Sequence, residues 1–220
     1  MQIKSLTLRN FRRYSNAVTI EFENLTAFVG KNDVGKSSIL EALDIFFNDG
    51  RGCIKLDKDD INKIEASCGN NEISIAVCFE NLPDTVVIDA TNETTLESEY
   101  LLNESRQLEI VKKYPNAGSA KVFIRAYHPT NPNCSDLLLK KDSDLRKILS
   151  SQSIACEDQT RNAVMRKAIQ TIYSLKQSTL MLRKVMQKPF GISSKNICHC
   201  ILYFKPIERI LMETAKCKTP

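Results

Sequence analysis

The N-terminal part of the chain alternates polar and apolar residues in a way that predicts strands before a helix. Ile3 to Leu8 and Val18 to Phe22 follow the period of two that is typical of half-buried strands. The basic segment Arg9 to Tyr14 joins them, which predicts an opening β-hairpin. Leu25 to Val29 is more continuously apolar, and this pattern predicts a third strand buried on both faces.

The next segment, Ser38 to Phe47, has apolar residues at helical spacing among Glu41 and Asp44, and Asn48-Asp49-Gly50 favours a helix end there. Turn-forming Asn, Pro and Gly residues separate the later elements. We expect strands at Glu72 to Phe79, Thr85 to Ile88, Leu108 to Tyr114 and Lys121 to Tyr127, and helices at Ser135 to Leu149 and Arg161 to Tyr173. The strands should form a mostly antiparallel layer, so the pattern predicts an α/β fold.

Between the apolar segment and the first helix lies a candidate phosphate-binding loop. The segment Gly30-Lys31-Asn32-Asp33-Val34-Gly35-Lys36-Ser37 matches G-x-x-x-x-G-K-[ST] at every fixed position, in a strand-to-helix context. Glycines at both ends allow the backbone to curl so that successive N–H groups point at a phosphate. The sequence therefore predicts a site for ATP or another nucleotide.

The individual roles follow from position in the motif. The helix that begins near Lys36 adds the positive end of its dipole, and the ammonium of Lys36 can reach the β- and γ-phosphate oxygens. The hydroxyl of Ser37 can complete the ligand shell of Mg²⁺, so Ser37 is the predicted metal ligand. Ser38 follows directly and is included among the predicted cofactor-binding residues.

The first part of the chain resembles the RecF/SMC-like ABC-type ATPases, and within them the OLD family of ATP-dependent nucleases. The resemblance is carried by Asn10-Phe11-Arg12, by Phe28 to Asp33 and by Ser37 to Leu43. It is strongest over the first 50 residues and continues weakly to residue 170. It implies the N-terminal lobe of an ABC/RecF-like P-loop NTPase, with mixed and antiparallel strands and a few helices, truncated.

By this resemblance Arg12 would lie beside the bound nucleotide and Phe11 would help to shape its pocket, although Phe11 is equally well explained as an ordinary core residue. Members of the family dimerise around ATP and carry a metal-dependent Toprim nuclease domain. The present sequence contains no Ser-Gly-Gly signature segment, no apolar strand ending in Asp-Glu and no Toprim acidic cluster. We therefore expect ATP binding without efficient hydrolysis, and leave open whether the chain is an enzyme.

The charge is unevenly distributed, and this changes how the net charge of +5 is interpreted. Residues 171–220 contain nine basic and two acidic residues, which leaves 22 basic and 24 acidic residues in the first 170. We predict two regions: residues 1–170 as the ATPase lobe and residues 171–220 as a basic tail. The composition change suggests a shift of the coding frame near residue 170, and back-translation of residues 188–220 in a shifted frame, which gives family-like stretches, favours it over a genuine extension. The charge of the tail is then not read as a DNA-binding surface.

Two functions remain open. The first is MgATP binding by a truncated lobe of an OLD-like endonuclease of the DNA-processing or phage-defence type, with DNA contacted only through the intact family protein. The alternative is a non-catalytic interaction module that binds and modulates a full-length ATPase, and self-association is a further expectation. No apolar run approaches the roughly 20 residues of a membrane span, and no signal-peptide pattern is present, so we expect a cytoplasmic protein without membrane contact.

Overall fold

The computed structural model describes residues 1–30, 35–50, 52–89, 92–134, 136–173 and 177–183. Within these residues the strands are β1 (Gln2–Arg9), β2 (Val18–Glu21), β3 (Glu72–Glu80), β4 (Val86–Asp89), β5 (Asn92–Thr94), β6 (Leu108–Pro115), β7 (Lys121–Pro129) and β8 (Gln177–Arg183). The helices are α1 (Lys36–Asn48), α2 (Lys63–Ser67), α3 (Asp142–Ser151) and α4 (Asn162–Tyr173), with short 3₁₀ turns at Lys58–Asp60, Pro132–Cys134 and Leu137–Leu139.

Six of the described strands form one sheet in the order β2-β1-β3-β6-β7-β8, and every neighbouring pair is antiparallel. The strands β4 and β5 form a separate antiparallel hairpin. The predicted antiparallel layer and the opening hairpin are therefore confirmed. The strand β8 lies within the segment assigned to the basic tail, and the boundary at residue 170 stays a prediction.

The core lies between one face of this sheet and α1. Apolar side chains of β1 and β3, such as Leu6, Leu8 and Ile75, are buried together with Ile39 and Ile45 of α1. A strand places alternate residues on opposite faces, and the period of two in β1 therefore directs one set of side chains to the helix. The predicted amphipathic helix is confirmed, since the apolar stripe of α1 is the buried one.

The segment Leu25 to Val29 does not form the predicted strand. Leu25 and Val29 are 89% and 93% exposed, and no described strand pairs with this segment. A β-strand needs a neighbour that accepts and donates its backbone hydrogen bonds, and none of the six strands of the main sheet lies beside residues 25–29. The apolar pattern alone therefore predicted the wrong structure here.

A second, smaller core is formed by α3, α4 and the 3₁₀ turn at Pro132–Cys134, with Leu145, Met165 and Ile169 fully buried. The helix predicted from Ser135 begins only at Asp142, after a separate 3₁₀ turn. Acidic residues at Asp142 and Asp144 favour a helix start there, because they complement the positive helix end. Within the described residues, no helix is both long and apolar enough for a membrane span.

Candidate nucleotide-binding site

The predicted phosphate-binding loop ends in the first turn of α1, which begins at Lys36. Lys31, Asn32, Asp33 and Val34, all predicted to contact the nucleotide, lie outside the described residues. The ammonium of Lys36 donates a hydrogen bond to the carbonyl oxygen of Gly30, so that this side chain joins the two ends of the loop. Ser37 is exposed at the first turn of the helix, whereas Ser38 is buried on its core side.

The N-terminus of α1 has the features of an anion site. Gly35 precedes the helix with φ +89°, a left-handed conformation that favours glycine. Among the residues that the structure describes, no side chain caps the first turn, and the first turn contains no acidic residue. The short helix α2 differs, because the side chain of Asn62 accepts hydrogen bonds from the backbone N–H groups of Ile64 and Glu65.

A helix N-terminus without a side-chain cap leaves backbone donors and the positive dipole end uncompensated. The residues present therefore fit the phosphate groups of a nucleotide. Lys36 and the first-turn N–H groups of α1 would hold the phosphates, and Ser37, exposed beside them, has the hydroxyl needed for Mg²⁺.

The turn between β1 and β2 packs beside this loop, and its backbone is held by long-range hydrogen bonds. Asn10 is fully buried; its amide donates to the carbonyl oxygens of Asn70 and Glu72, at 2.8 and 3.2 Å, and its side-chain oxygen accepts from the backbone N–H of Asn62. Asn10 and Arg12 both have positive φ, 54° and 49°. The bonds to Asn10 hold the turn in a conformation that non-glycine residues adopt only when the surroundings support it.

Phe11 is fully buried in the main core, and its backbone pairs with Tyr14 and Ile61. Its ring also lies 5.1 Å from the guanidinium carbon of Arg12. The core contacts explain Phe11 without reference to a ligand, while its part in shaping a nucleotide pocket stays a prediction.

Arg12 connects the turn to two other elements through its side chain. The guanidinium donates to Glu41 on α1 and, at 2.8 Å, to Asp60 in the 3₁₀ turn. Burial alone would lower the pKa of Arg12, but the hydrogen bonds and charges of Asp60 and Glu41 outweigh it, and the pKa is raised. Arg12 is thus fully charged and ties the turn to the helix that carries the phosphate-binding loop.

Tyr14 reaches the loop itself. Its hydroxyl lies 3.3 Å from the carbonyl oxygen of Gly35, to which it donates, and burial raises its pKa above the ordinary value for tyrosine. A phenol with a raised pKa stays protonated at neutral pH, so the donor is retained. Tyr14 therefore holds Gly35, the residue directly before α1, from the side of the β1–β2 turn.

Several residues of this site were not predicted from the sequence. Asp60 and Asn62 lie about 50 positions beyond Arg12, and no local pattern links them to it. Glu41 was assigned only to the polar side of the helix. Tyr14 is the one residue with a local signal, because it closes the basic turn that follows the Asn10-Phe11-Arg12 segment.

The mixed α/β fold and the glycine-lysine loop at the start of α1 define a P-loop NTPase-like domain. The family model for the AAA ATPase domain matches residues 1–208, and the chain belongs to this family. Membership of this family supports nucleotide binding by the chain, and such ATPases commonly use Mg²⁺. A search of curated proteins found no match.

Two solved structures are similar to parts of the chain. One, described under ATP-driven dimerization and DNA-stimulated activation of SMC ATPases, is 18% identical with a TM-score of 0.38, covering 70% of this chain and 81% of that one. The other is an SMC head bound to the C-terminal winged-helix domain of ScpA, 19% identical with a TM-score of 0.37, covering 56% of this chain and 36% of that one. The family assignment rests on the match over residues 1–208.

Proposed function

We propose that the chain binds MgATP at the loop Gly30 to Ser37 and is the ATP-binding lobe of an OLD-like ATP-dependent endonuclease. The observation that carries the nucleotide site is the N-terminus of α1. It follows Gly35 in a left-handed conformation, Lys36 lies at its start, its first turn has no acidic residue, and no side chain within the described part of the chain caps it. These are the conditions under which a helix end binds phosphate.

Each residue of the site has a separate task in this proposal. The first-turn N–H groups bind phosphate oxygens, and Lys36 contributes the charge that neutralises them. Mg²⁺, when bound, supplies further neutralisation of the phosphate charge, and Ser37 is the residue placed to hold it. Tyr14 and Arg12 keep the loop and α1 in register with the β1–β2 turn.

Calorimetric titration with MgATP tests the site through a lysine pair. Lys36→Ala should abolish measurable binding, because the phosphate charge loses its main partner. Lys63→Ala is the matched control, since Lys63 also begins a helix but follows a capped N-terminus; its affinity should equal that of the native protein. Unchanged affinity in Lys36→Ala would overturn the proposed site.

The metal role of Ser37 needs its own comparison. Ser37→Ala should weaken binding of MgATP but leave binding of ATP in EDTA nearly unchanged, because only the metal complex uses the hydroxyl. Equal losses in both conditions would assign Ser37 to the phosphates instead.

The OLD-like part of the proposal is supported by the residues of the N-terminal resemblance, and the gene tests it. The nucleotide sequence from the codon of Thr160 onwards, read in all three frames, should contain the signature, Walker B and Toprim segments. Absence of all three would overturn the endonuclease assignment and favour the interaction module, for which co-purification with a full-length ATPase is the direct assay.

A further inference from the structure

Two side chains of β6 hold the C-terminal end of α1, which is the end opposite to the phosphate-binding loop. The ammonium of Lys112 donates to the carbonyl oxygen of Phe46, at 2.6 Å, and to the carboxylate of Asp49. The hydroxyl of Tyr114 donates to the carbonyl oxygen of Ile45, at 3.3 Å. Both acceptor carbonyls belong to the last turn of the helix, and that of Ile45 also accepts from backbone N–H groups that follow it.

Lys112 is an unusual residue for its place in the sheet. Its partners in the neighbouring strands are Ile75 of β3 and Val122 of β7, and its side chain is only 13% exposed. A charge in such surroundings is costly unless it is paired and hydrogen-bonded. The pairing is provided entirely by the end of α1, through Asp49, the Phe46 carbonyl and the Phe46 ring, whose centroid lies 4.9 Å from the ammonium.

Tyr114 is suited to the same role. It is 1% exposed, and burial, with the nearby charge of Asp49, raises its pKa far above the ordinary value. The phenol is therefore a permanent donor. The backbone N–H groups of Asp49 and Gly50 bond the same carbonyl of Ile45, so the helix end is closed from both sides.

These bonds matter because apolar packing defines the position of a helix along its own axis less sharply than directional bonds do. Burial of Ile39, Leu43 and Phe46 is favourable over a range of small shifts, since the hydrophobic effect is non-directional. Hydrogen bonds to the helix end are directional and determine its axial position and rotation. α1 has 13 residues and is about 20 Å long, so a shift at one end moves the other end as well.

We propose that Lys112, together with Tyr114, is a positioning residue for phosphate binding. β6 holds the C-terminal end of α1, and the helix transmits that position to Gly35 and Lys36 at its other end. The positive charge of Lys112 also complements the negative end of the helix dipole, whose positive end faces the phosphates. This inference rests on the proposed nucleotide-binding function.

The chain contains a matched control in the next residue. Lys113 points to the opposite face of the sheet, donates to Glu72 at 2.8 Å and lies 5.8 Å from the Phe123 ring centroid. It thus makes the same kinds of contact as Lys112 without touching α1. Lys113→Met removes an ion pair and a ring contact that lie away from α1. Lys112→Met removes an ion pair and a ring contact that hold the end of α1, together with the hydrogen bond to the Phe46 carbonyl.

The experiment is titration of the whole chain with MgATP, at a temperature where circular dichroism shows every variant to be folded. Lys112→Met should raise the Kd about three- to tenfold, Lys112→Arg should restore it to within about twofold, and Lys113→Met should leave it unchanged. Amide hydrogen exchange at Ile39 to Ala42, the first amides of α1 that have intrahelical acceptors, should become faster in Lys112→Met alone. If Lys112 only stabilised the fold, Lys112→Met would lower the melting temperature and speed exchange throughout the core, and the Kd of the folded protein would stay native.

If Lys112→Met does not fold, Tyr114→Phe tests the inference instead. This variant keeps the ring volume and removes only the hydroxyl that donates to the Ile45 carbonyl. We expect its Kd for MgATP to rise about two- to threefold. A native Kd in the decisive variant would overturn the inference. Failure of the proposed function has a different signature, since the native protein would then bind no MgATP or Lys36→Ala would bind it equally well.

Discussion

The phenol of Tyr14 lies against Gly35, with its hydroxyl 3.3 Å from the glycine carbonyl oxygen. A Cβ atom added at Gly35 would lie 3.1 Å from the same hydroxyl oxygen, tighter than an ordinary contact, and the ring carbon behind it is at 3.5 Å. Gly35 is thus restricted both by its φ of +89° and by Tyr14.

This relationship predicts coupling between the two positions. Gly35→Ala should destabilise the fold by about 1–3 kcal/mol through backbone strain and crowding, and should weaken MgATP binding at least about tenfold. In a Tyr14→Phe background the crowding disappears but the strain stays, so Gly35→Ala should cost about 0.5–1 kcal/mol less. Urea unfolding of the four proteins in the double-mutant cycle measures this; an identical cost in both backgrounds would contradict it.

Arg12 should contribute to stability independently of any nucleotide. Arg12→Met leaves Glu41 and Asp60, whose side chains are 16% and 11% exposed, without their cation, and should lower the free energy of unfolding by about 1–3 kcal/mol. Arg12→Lys should recover only part of this, because one ammonium cannot reproduce the two-sided contact of a guanidinium. Chemical denaturation without nucleotide is the measurement.

The same residue was predicted to lie beside the nucleotide, and a triple variant separates the two roles. Arg12→Met with Glu41→Gln and Asp60→Asn removes the unpaired carboxylates and should regain part of the lost stability. If Arg12 also contacts the nucleotide, MgATP affinity stays low in this variant. Recovery of affinity along with stability would assign Arg12 to anchoring alone.

The buried pair Arg166–Glu99 should link the two cores. Arg166 on α4 donates to both carboxylate oxygens of Glu99, at 2.8 and 2.7 Å, and the side chains are 1% and 2% exposed. Arg166→Met leaves the buried carboxylate of Glu99 without its cation and should lower the free energy of unfolding by about 3–5 kcal/mol. Arg166→Met combined with Glu99→Leu should lower it distinctly less. Denaturant unfolding compares the variants, and equal losses would show that the charge on Glu99 is not the cause.

His128 should make stability depend on pH. Burial lowers its pKa below 6.5, although the hydrogen bond to the Pro129 carbonyl and the charge of Asp136 act in the opposite direction. The folded protein then binds fewer protons than the unfolded chain, so stability is greatest above pH 6.5 and is lost as pH falls through the folded-state pKa.

The measurement for His128 is the melting temperature of the native protein, His128→Gln and His199→Gln between neutral pH and pH about 5. The sequence has two histidines, and His199 lies outside the described residues, which makes its variant the control. His128→Gln should flatten the acid decline and His199→Gln should not. A slope unchanged in His128→Gln would exclude His128 as its source.

The amino-acid sequence by itself determined the local elements of the main domain. The period of two in β1 and β2, the helical spacing after Lys36 and the Asp49-Gly50 stop all act within a few residues, and the strands and helix that they predict were confirmed. The phosphate-binding loop is likewise predicted from sequence, because its chemistry depends on a short spacing of glycine, lysine and serine, and its contacts with a nucleotide stay a prediction.

Tertiary structure alone decided which of those elements have partners. Leu25 to Val29 has a strand-like composition but no neighbouring strand among the described residues, and hydrogen-bond partners are supplied by other parts of the chain. For the same reason, no local pattern could show that Arg12 meets Asp60, that Glu99 meets Arg166 or that Lys112 meets the end of α1. Each contact joins residues separated by about 50 positions or more, and only the packed fold brings them within hydrogen-bond distance.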